Sequence, residues 1–286
     1  MVIETLITPM KAEKQPWQMI FLGILFSSVA IMLAYWISPK HSSLMMVFFT
    51  TMACMPIMYN TIKYEESKDE KGGGEVFLLK EHAKALKVFM YLFIGVTISF
   101  SIWNVALSAV SEKAASLLFS SQIETITAIN ANVVTMDRFF IIFMNNLEVL
   151  FWCMVFSFVY GLGAIFILTW NASVIGAAIG NFIRTGIAKI AEDTGTVGSA
   201  GYAKVYSCAY LVRFLPHGIP EILAYFTAGL AGGIISVAII RHRFGTKRFL
   251  DIVFDSADLL LISFVIIFIA GIIEVYFTPA FYALLC

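Results

Sequence analysis

Charged side chains are scarce in this chain of 286 residues. They make up 13% of it, whereas a soluble domain carries about 25%. Hydrophobic residues account for 60%, and the mean hydropathy is +0.87. The formal net charge is zero, so no overall basic field exists to attract nucleic acid. The composition therefore excludes a soluble domain and a nucleic-acid-binding protein, and it predicts an integral membrane protein in contact with the lipid bilayer.

Cysteines are few and lie far apart. The sequence holds Cys54, Cys153, Cys208 and Cys286, with no CxxC pair among them. This spacing suggests neither a zinc site nor a disulfide framework, so we interpret all four as small apolar residues.

Motifs of catalysis and nucleotide binding are also missing. The sequence contains no GxxxxGK[ST], HExxH or GxSxG element and no TVGYG-type filter. The glycine triplet at 72–74 is therefore interpreted as a linker, not a phosphate-binding loop. From these absences we predict a protein that is not an enzyme and that binds no metal and no cofactor.

Long apolar runs dominate what is present. Trp17 to Trp36 is uncharged and, at about 20 residues, is long enough for a retained span rather than a signal-peptide core. Ser43 to Tyr59 follows after only SPKHS, which predicts a helical hairpin. Residues 61–87 are dense in lysines and acidic residues and predict a charged cytoplasmic loop that leads into a helix around Leu78–Lys87. The predicted organisation is a hairpin at 1–60, this loop at 61–87 and a membrane domain at 88–286.

The membrane domain contains further apolar runs. The expected fold is all-α, a polytopic transmembrane helical bundle of about seven spans. Residues 109–136 predict a surface helical segment, and 203–215 a short amphipathic one. The weaker run at 172–190 either crosses the membrane or re-enters and stops short. The predicted spans of this domain are 88–107, 148–168, 172–190, 219–240 and 259–277.

Lysine and arginine predict the orientation. With seven spans, most of them fall on one side, in the N-terminal segment, the 61–87 segment and the loop RHRFGTKR. Cytoplasmic loops carry the excess of Lys and Arg. We therefore predict a multi-pass protein of the cell membrane with a cytoplasmic N-terminus and an external C-terminus.

Polar residues within the apolar runs are the candidate functional residues, because ionisable groups at such positions usually face the bundle interior or an aqueous cavity. An alternative structural role exists for each. The asparagines before Leu147 could hydrogen-bond between helices, and Asn171 could cap the helix after it. Pro220 suits a first helical turn, which would make Glu221 an N-terminal capping residue, and Asp255 and Asp258 could cap the last span. The candidate intramembrane site is Asn145, Asn146, Glu148, Asn171, His217 and Glu221.

Small residues recur at a spacing that allows helices to approach closely. Gly176 and Gly180 form one GxxxG pattern, and Gly229 and Gly233 form another. The spacing predicts helix packing, either within one chain or between two copies of it.

Four segments together resemble the stage II sporulation protein M family. They are FMNNLEVL, the glycine-containing span after it, TWNASVIGAAIG and LPHGIPEILAYFTAGLAGG, and the resemblance covers about residues 88–280. One departure is Asn171-Ala172, where the family usually has Asn-Gly. The hairpin at 17–60 with its charged loop is similar to an addition in archaeal members. The resemblance implies a membrane scaffold, since the founding member recruits cell-wall hydrolases in spore formers.

Three functional hypotheses remain open at this stage. The first is a non-enzymatic scaffold or assembly factor, with other membrane or envelope proteins or a second copy of itself as partners. The second is a transporter or permease component, in which the polar residues meet near one cavity. The third is an intramembrane enzyme with His217 as a base oriented by Glu221.

Overall fold

The computed structural model describes residues 8–69, 75–133, 138–160, 164–241 and 246–286. Within these ranges the chain is helical almost throughout and contains no strand. The helices are α1 (Pro9–Lys14), α2 (Gln18–Ile37), α3 (Ser42–Asp69), α4 (Glu75–Val110), α5 (Glu112–Leu118), α6 (Ser120–Val133), α7 (Arg138–Tyr160), α8 (Ala164–Thr194), α9 (Ser199–Ser207), α10 (Leu215–Arg241), α11 (Lys247–Ile272) and α12 (Thr278–Leu285).

Seven helical segments of the described chain are long and apolar enough to cross a membrane. The predicted all-α polytopic bundle is thereby confirmed. The weak apolar run at 172–190 belongs to one of these seven segments, because it forms the second part of α8, which is long enough to span the membrane. The membrane-competent segments are Gln18–Ile37, Pro39–Thr61, Ala83–Val110, Arg138–Val159, Ala164–Thr194, Ser199–Ser236 and Ile252–Leu285.

The boundary between the fourth and fifth spans was predicted wrongly. The boundary was predicted at Asn171, but α7 ends at Tyr160 and α8 runs without interruption from Ala164 to Thr194. Asn171 fits inside α8 because its side-chain amide donates to the carbonyl of Ile167, one turn earlier, at 3.0 Å. Asn171 therefore caps no helix.

The charged segment at 61–87 contains the helix predicted around Leu78–Lys87, as part of α4, but it is helical over more of its length than predicted. It is helical on both sides of residues 70–74, since α3 extends to Asp69 and α4 begins at Glu75. Lysine and glutamate are good helix formers, so the helices continue beyond the apolar runs. The glycine triplet lies outside the described residues.

The sixth span is longer than the sequence indicated. It runs through α9, a π-helical segment at Cys208–Phe214 and then α10. Pro220 therefore lies inside α10 and not in a first turn, and Glu221 is not at a helix N-terminus. The proposed capping role of Glu221 was wrong.

The helix of the last span also begins earlier than the sequence indicated. Its helix α11 begins at Lys247, where the side chain of Thr246 accepts a hydrogen bond from the Phe249 amide at 3.3 Å. Asp255 and Asp258 lie two to three turns further on and are exposed, so they do not cap this helix. Ile273–Phe277 forms a second π-helical segment before α12.

A disulfide contradicts our interpretation of the cysteines. Cys208 and Cys286 are bonded, with their Cα atoms 5.9 Å apart, while Cys54 and Cys153 are free and buried. The partners are 78 residues apart in the sequence, so only the packing of α12 against the first π-helical segment brings them together.

The spans pack into two groups. In the first, α4 packs extensively against α2 and α8, and α3 packs against α2. In the second, α10 packs extensively against α7 and α11. Contacts of α8 with α7, and of α10 with α4, join the two groups.

Glycines set the closest approaches in both groups. A Cβ on Gly180 would lie 2.5 Å from the Asn104 side chain, and one on Gly176 would lie 2.6 Å from that of Phe100. Gly229 lies against Ala164, and the backbone contact with α7 is made by Gly232, the neighbour of Gly233. Such contacts hold helix backbones together where no hydrophobic effect operates between them.

Candidate functional site

Two polar residues of the sequence-based set meet inside the second group of spans. Asn146 on α7 donates from its side-chain amide to a carboxyl oxygen of Glu221 on α10, at 2.7 Å. Their exposed fractions are 7% and 8%. A carboxyl withdrawn from water in this way needs hydrogen-bond partners, because burial without them is costly.

Glu274 completes this site and was not among the predicted residues. Its carboxyl lies close enough to that of Glu221 for a side-chain hydrogen bond between the two. Two carboxyls can share a hydrogen bond only if one of them carries a proton, since ionised carboxylates are acceptors alone. We call Asn146, Glu221 and Glu274 the acidic cluster.

A signal for Glu274 was present in the sequence. It is the only acidic residue in the run from Leu259 to Phe277, and an ionisable residue within a span is by default a candidate functional residue. The run was predicted only as a span. The pairing of Glu274 with Glu221 could not be predicted, because the two glutamates are 53 positions apart on different helices.

Irregular helix geometry lies next to the acidic cluster. Glu274 is part of the π-helical segment Ile273–Phe277, and Cys208–Phe214 forms the other, just before His217. Single π-helical turns widen the helix locally and occur often at functional sites. Pro220 has no amide hydrogen and so removes one helix hydrogen bond beside Glu221.

His217 lies one turn before Glu221 on α10. It is buried, and its Nδ1 lies 3.2 Å from the hydroxyl oxygen of Thr278 at the start of α12. The carboxyl of Glu221 instead accepts a hydrogen bond from Asn146 and lies beside the carboxyl of Glu274. His217 therefore ties α10 to the end of the last span.

Two arginines act electrostatically on the acidic cluster. Arg213, in the first π-helical segment, and Arg138, the first residue of α7, both lie close enough to Glu274 to interact electrostatically with its carboxyl. Both precede the acidic cluster on helices that enter the membrane from the same side. Glu274 is also half-buried, whereas Glu221 is buried. The acidic cluster thus has its more accessible carboxyl near two positive charges.

The other predicted site residues lie apart from the acidic cluster. Asn145 is half-buried, and its amide reaches the side-chain oxygen of Asn146 only at 3.5 Å. Glu148 is exposed on the opposite side of α7. Asn171 bonds within its own helix, as described above. The structure therefore brings together Asn146 and Glu221 but not the whole predicted set.

A second buried polar cluster connects α3, α6 and α8. The side chain of Ser43 donates to Gln122 at 2.9 Å, and the Gln122 amide donates to Ser173 at 3.1 Å. All three residues are buried. None is ionisable and their hydrogen bonds are made, so this cluster has a structural role: it fixes the surface helix α6 to two spans.

Asn104 is a buried polar residue whose side chain, unlike those of the second polar cluster, makes no hydrogen bond to the described residues. On α4 it is 1% exposed, and neither its side-chain nitrogen nor its oxygen has a hydrogen-bond partner among the described residues. It packs directly against Gly180 of α8. Asn104 is therefore a destabilising feature of the first group of spans.

An apolar pocket lies where the two groups of spans meet. It is lined by Cys54, Met58, Phe89, Leu92, Phe93, Val96, Ile165, Leu168, Thr169, Ala172 and Phe226. The acidic cluster does not line it, so this pocket suits no charged solute. Within the described part of the chain, no group of three or more His, Cys, Asp or Glu residues could hold a metal ion.

Comparison with known proteins gives one match. The family described as Stage II sporulation protein M matches residues 88–279, about two thirds of the chain. No curated protein and no solved structure matches. The matched range contains the whole acidic cluster and leaves out the N-terminal hairpin.

Proposed function

The chain belongs to the stage II sporulation protein M family, and from that premise we propose that it is a non-enzymatic transport component of the membrane. Its acidic cluster binds a proton and passes it across the membrane. The contact between Asn146, Glu221 and Glu274 carries this proposal.

The position of the acidic cluster supports a transport role. Asn146 is eight residues after the start of α7, which places it about 12 Å along the helix axis. The hydrocarbon core is about 30 Å thick, so the acidic cluster lies within it. A carboxyl pair at this depth is costly to retain, and intramembrane acids that face the bundle interior mark ion and proton pathways.

The irregular helices around the acidic cluster support the same role. Transporters form their sites at interrupted helices, where backbone and side chains can rearrange. Here Glu274 lies in a π-helical segment, and Pro220 precedes Glu221 directly. Protonation of the carboxyl pair can therefore alter helix geometry locally without unfolding a span.

Proton flux into liposomes tests this proposal. The purified full chain is reconstituted with an internal pH-sensitive dye, and a potassium gradient with valinomycin drives uptake. We expect uptake above empty liposomes for the wild type and a loss of at least tenfold for Glu221→Gln and Glu274→Gln. Asp258→Asn, which removes an exposed carboxyl on α11, is the matched control and should retain the flux. Equal flux in all variants, at the empty-liposome level, would refute the proposal.

A scaffold or assembly factor is the second candidate function. It is favoured by the resemblance of the family motifs and by the surface helix α6, which Gln122 attaches firmly to the spans. Its test is co-purification in mild detergent with cross-linking before lysis. A chain recovered without any other envelope protein would count against it.

We propose that the N-terminus is cytoplasmic and the C-terminus external. With seven crossings the two termini lie on opposite sides, and the positive-inside rule places the RHRFGTKR loop in the cytoplasm. The disulfide supports the same orientation, because disulfides persist in oxidising compartments and Cys286 directly follows α12 at the end of the last span. A membrane-impermeant tag assay on each terminus in intact cells tests it, and a protected C-terminus would reverse it.

A further inference from the structure

The outward side of α7 is unusual for a surface in contact with lipid. Only 22% of this span is buried within the chain, the lowest share of the seven membrane-competent segments. Most of the exposed side is apolar and aromatic, as lipid requires. We call Met144, Glu148, Phe151 and Trp152, which are all exposed, the α7 outward face.

Glu148 lies at the centre of this face. It is ten residues after Arg138, so it is about 15 Å along α7, half the depth of a hydrocarbon core of about 30 Å. At 100° per residue it is 200° around the helix from Asn146, which points into the acidic cluster. The side chain of a glutamate is too short to reach either membrane surface from this depth.

Within the described parts of the chain, this carboxyl has no partner. Glu221 and Glu274 have partners within the bundle, but no hydrogen bond or ion pair of Glu148 is found among the residues that the structure describes. A polar group that faces hydrocarbon alone is costly, charged or neutral. Another polypeptide that covers the face and supplies a hydrogen-bond donor removes that cost.

The required donor is on the same helix. Asn145 precedes Glu148 by three residues, so the two side chains lie on adjoining parts of the α7 surface. Its amide nitrogen is only weakly engaged, at 3.5 Å from Asn146. The face therefore carries one donor and one acceptor at nearly the same depth.

We propose that the chain forms a homodimer through the α7 outward face, with the Asn145 amide of each copy donating to the Glu148 carboxyl of the other. A two-fold axis along the membrane normal apposes the same patch of both copies, so residue i contacts residue j and j contacts i. Both polar groups are satisfied at once, and Met144 and Trp152 pack around them. This inference goes beyond the proposed transport role and does not depend on the acidic cluster.

Cross-linking in native membranes is the first test. Met144→Cys and Trp152→Cys place a thiol on either side of Glu148, and Phe21→Cys places one on the exposed surface of α2 as a control. With copper phenanthroline we expect a covalent species of twice the chain mass from the first two variants and not from the third. Equal cross-linking from Phe21→Cys, or a product whose mass identifies a different protein, would overturn the proposal.

Association in liposomes is the second test, by energy transfer between labelled copies as the lipid-to-protein ratio rises. Glu148→Leu should raise the dissociation constant about tenfold, in line with interhelical hydrogen bonds in membranes. Glu148→Gln keeps an acceptor oxygen and should stay within about threefold of the wild type. Asn145→Ala should match Glu148→Leu, and the double variant should add little, because both changes remove the same contact. Association that is unchanged or tighter in Glu148→Leu would refute the proposal.

Discussion

The two groups of spans use the same kind of packing but differ in what their interior holds. Where α4 meets α2 and α8, small residues and hydroxyls fill the contacts: Ser28 pairs with Ser99 at 3.1 Å, and Trp103 donates to Ser28 at 3.0 Å. Where α10 meets α7 and α11, the contacts also include glycines, but the interior holds two neighbouring carboxyls. The first group is a structural frame, and the second carries the costly ionisable residues. We infer that stability depends mainly on the first group and function on the second.

The largest expected effect is at the α2–α4 contact. Gly95→Val would place side-chain carbons on the backbone of Ile20, and backbone cannot rotate out of the way as a side chain can. We expect a loss of about 3 kcal/mol in unfolding free energy, measured by reversible unfolding in mixed detergent micelles. Gly218→Ala is the matched control, because a Cβ there meets nothing within 4 Å. Equal unfolding free energies of the two variants would contradict the inference that stability depends mainly on the first group of spans.

The disulfide should have the next largest effect. Cys208→Ser opens a loop of 78 residues and should lower the unfolding free energy by about 2 kcal/mol, less than a soluble loop of this length because the membrane already restricts the chain. Chemical reduction of the wild type should reproduce the loss and should leave Cys208→Ser unaffected. Alkylation of both thiols without prior reduction would show that the bond does not form.

Asn146→Ala tests the acidic cluster itself. It leaves Glu221 without its amide donor, so we expect a cost of about 1–2 kcal/mol in stability together with reduced proton flux. Asn171→Ala is the matched control, since that amide bonds only within its own helix. A similar loss of flux in both variants would show that the proton flux does not depend specifically on the acidic cluster.

Asn104→Leu should have the smallest effect, with the opposite sign. The amide of Asn104 has no partner among the described residues, and leucine has a similar size and no polar atoms. We expect an increase of about 1 kcal/mol in unfolding free energy and unchanged proton flux. A loss of stability would indicate that the amide has a partner, such as a buried water molecule.

Much of the fold could be predicted because hydrophobic length is a local property. The runs at 17–36 and 88–107 needed only a count of apolar residues, and both are spans in the structure. Span boundaries were less predictable. Asn171 looks like a break, yet it lies within α8, since its amide bonds to the carbonyl one turn earlier. Pro220 is typical of a first helical turn, yet α10 begins before it.

The candidate site was only partly predictable for a related reason. Asn146 and Glu221 stood out as polar residues in apolar runs, but nothing in the sequence indicated that they touch or that Asn171 lies elsewhere. Glu274 and the Cys208–Cys286 bond were missed because each depends on a partner far along the chain.

The sequence by itself determined that this chain is an all-helical membrane protein, because each run must satisfy its own backbone hydrogen bonds in lipid and a helix does so locally. It also determined which polar residues would be costly there. The tertiary structure decided where each of these polar residues lies and which partners it has. Asn146, Glu221 and Glu274 meet because α7, α10 and α11 pack side by side, while Glu148, two residues from Asn146, faces outward because a helix turns 100° per residue.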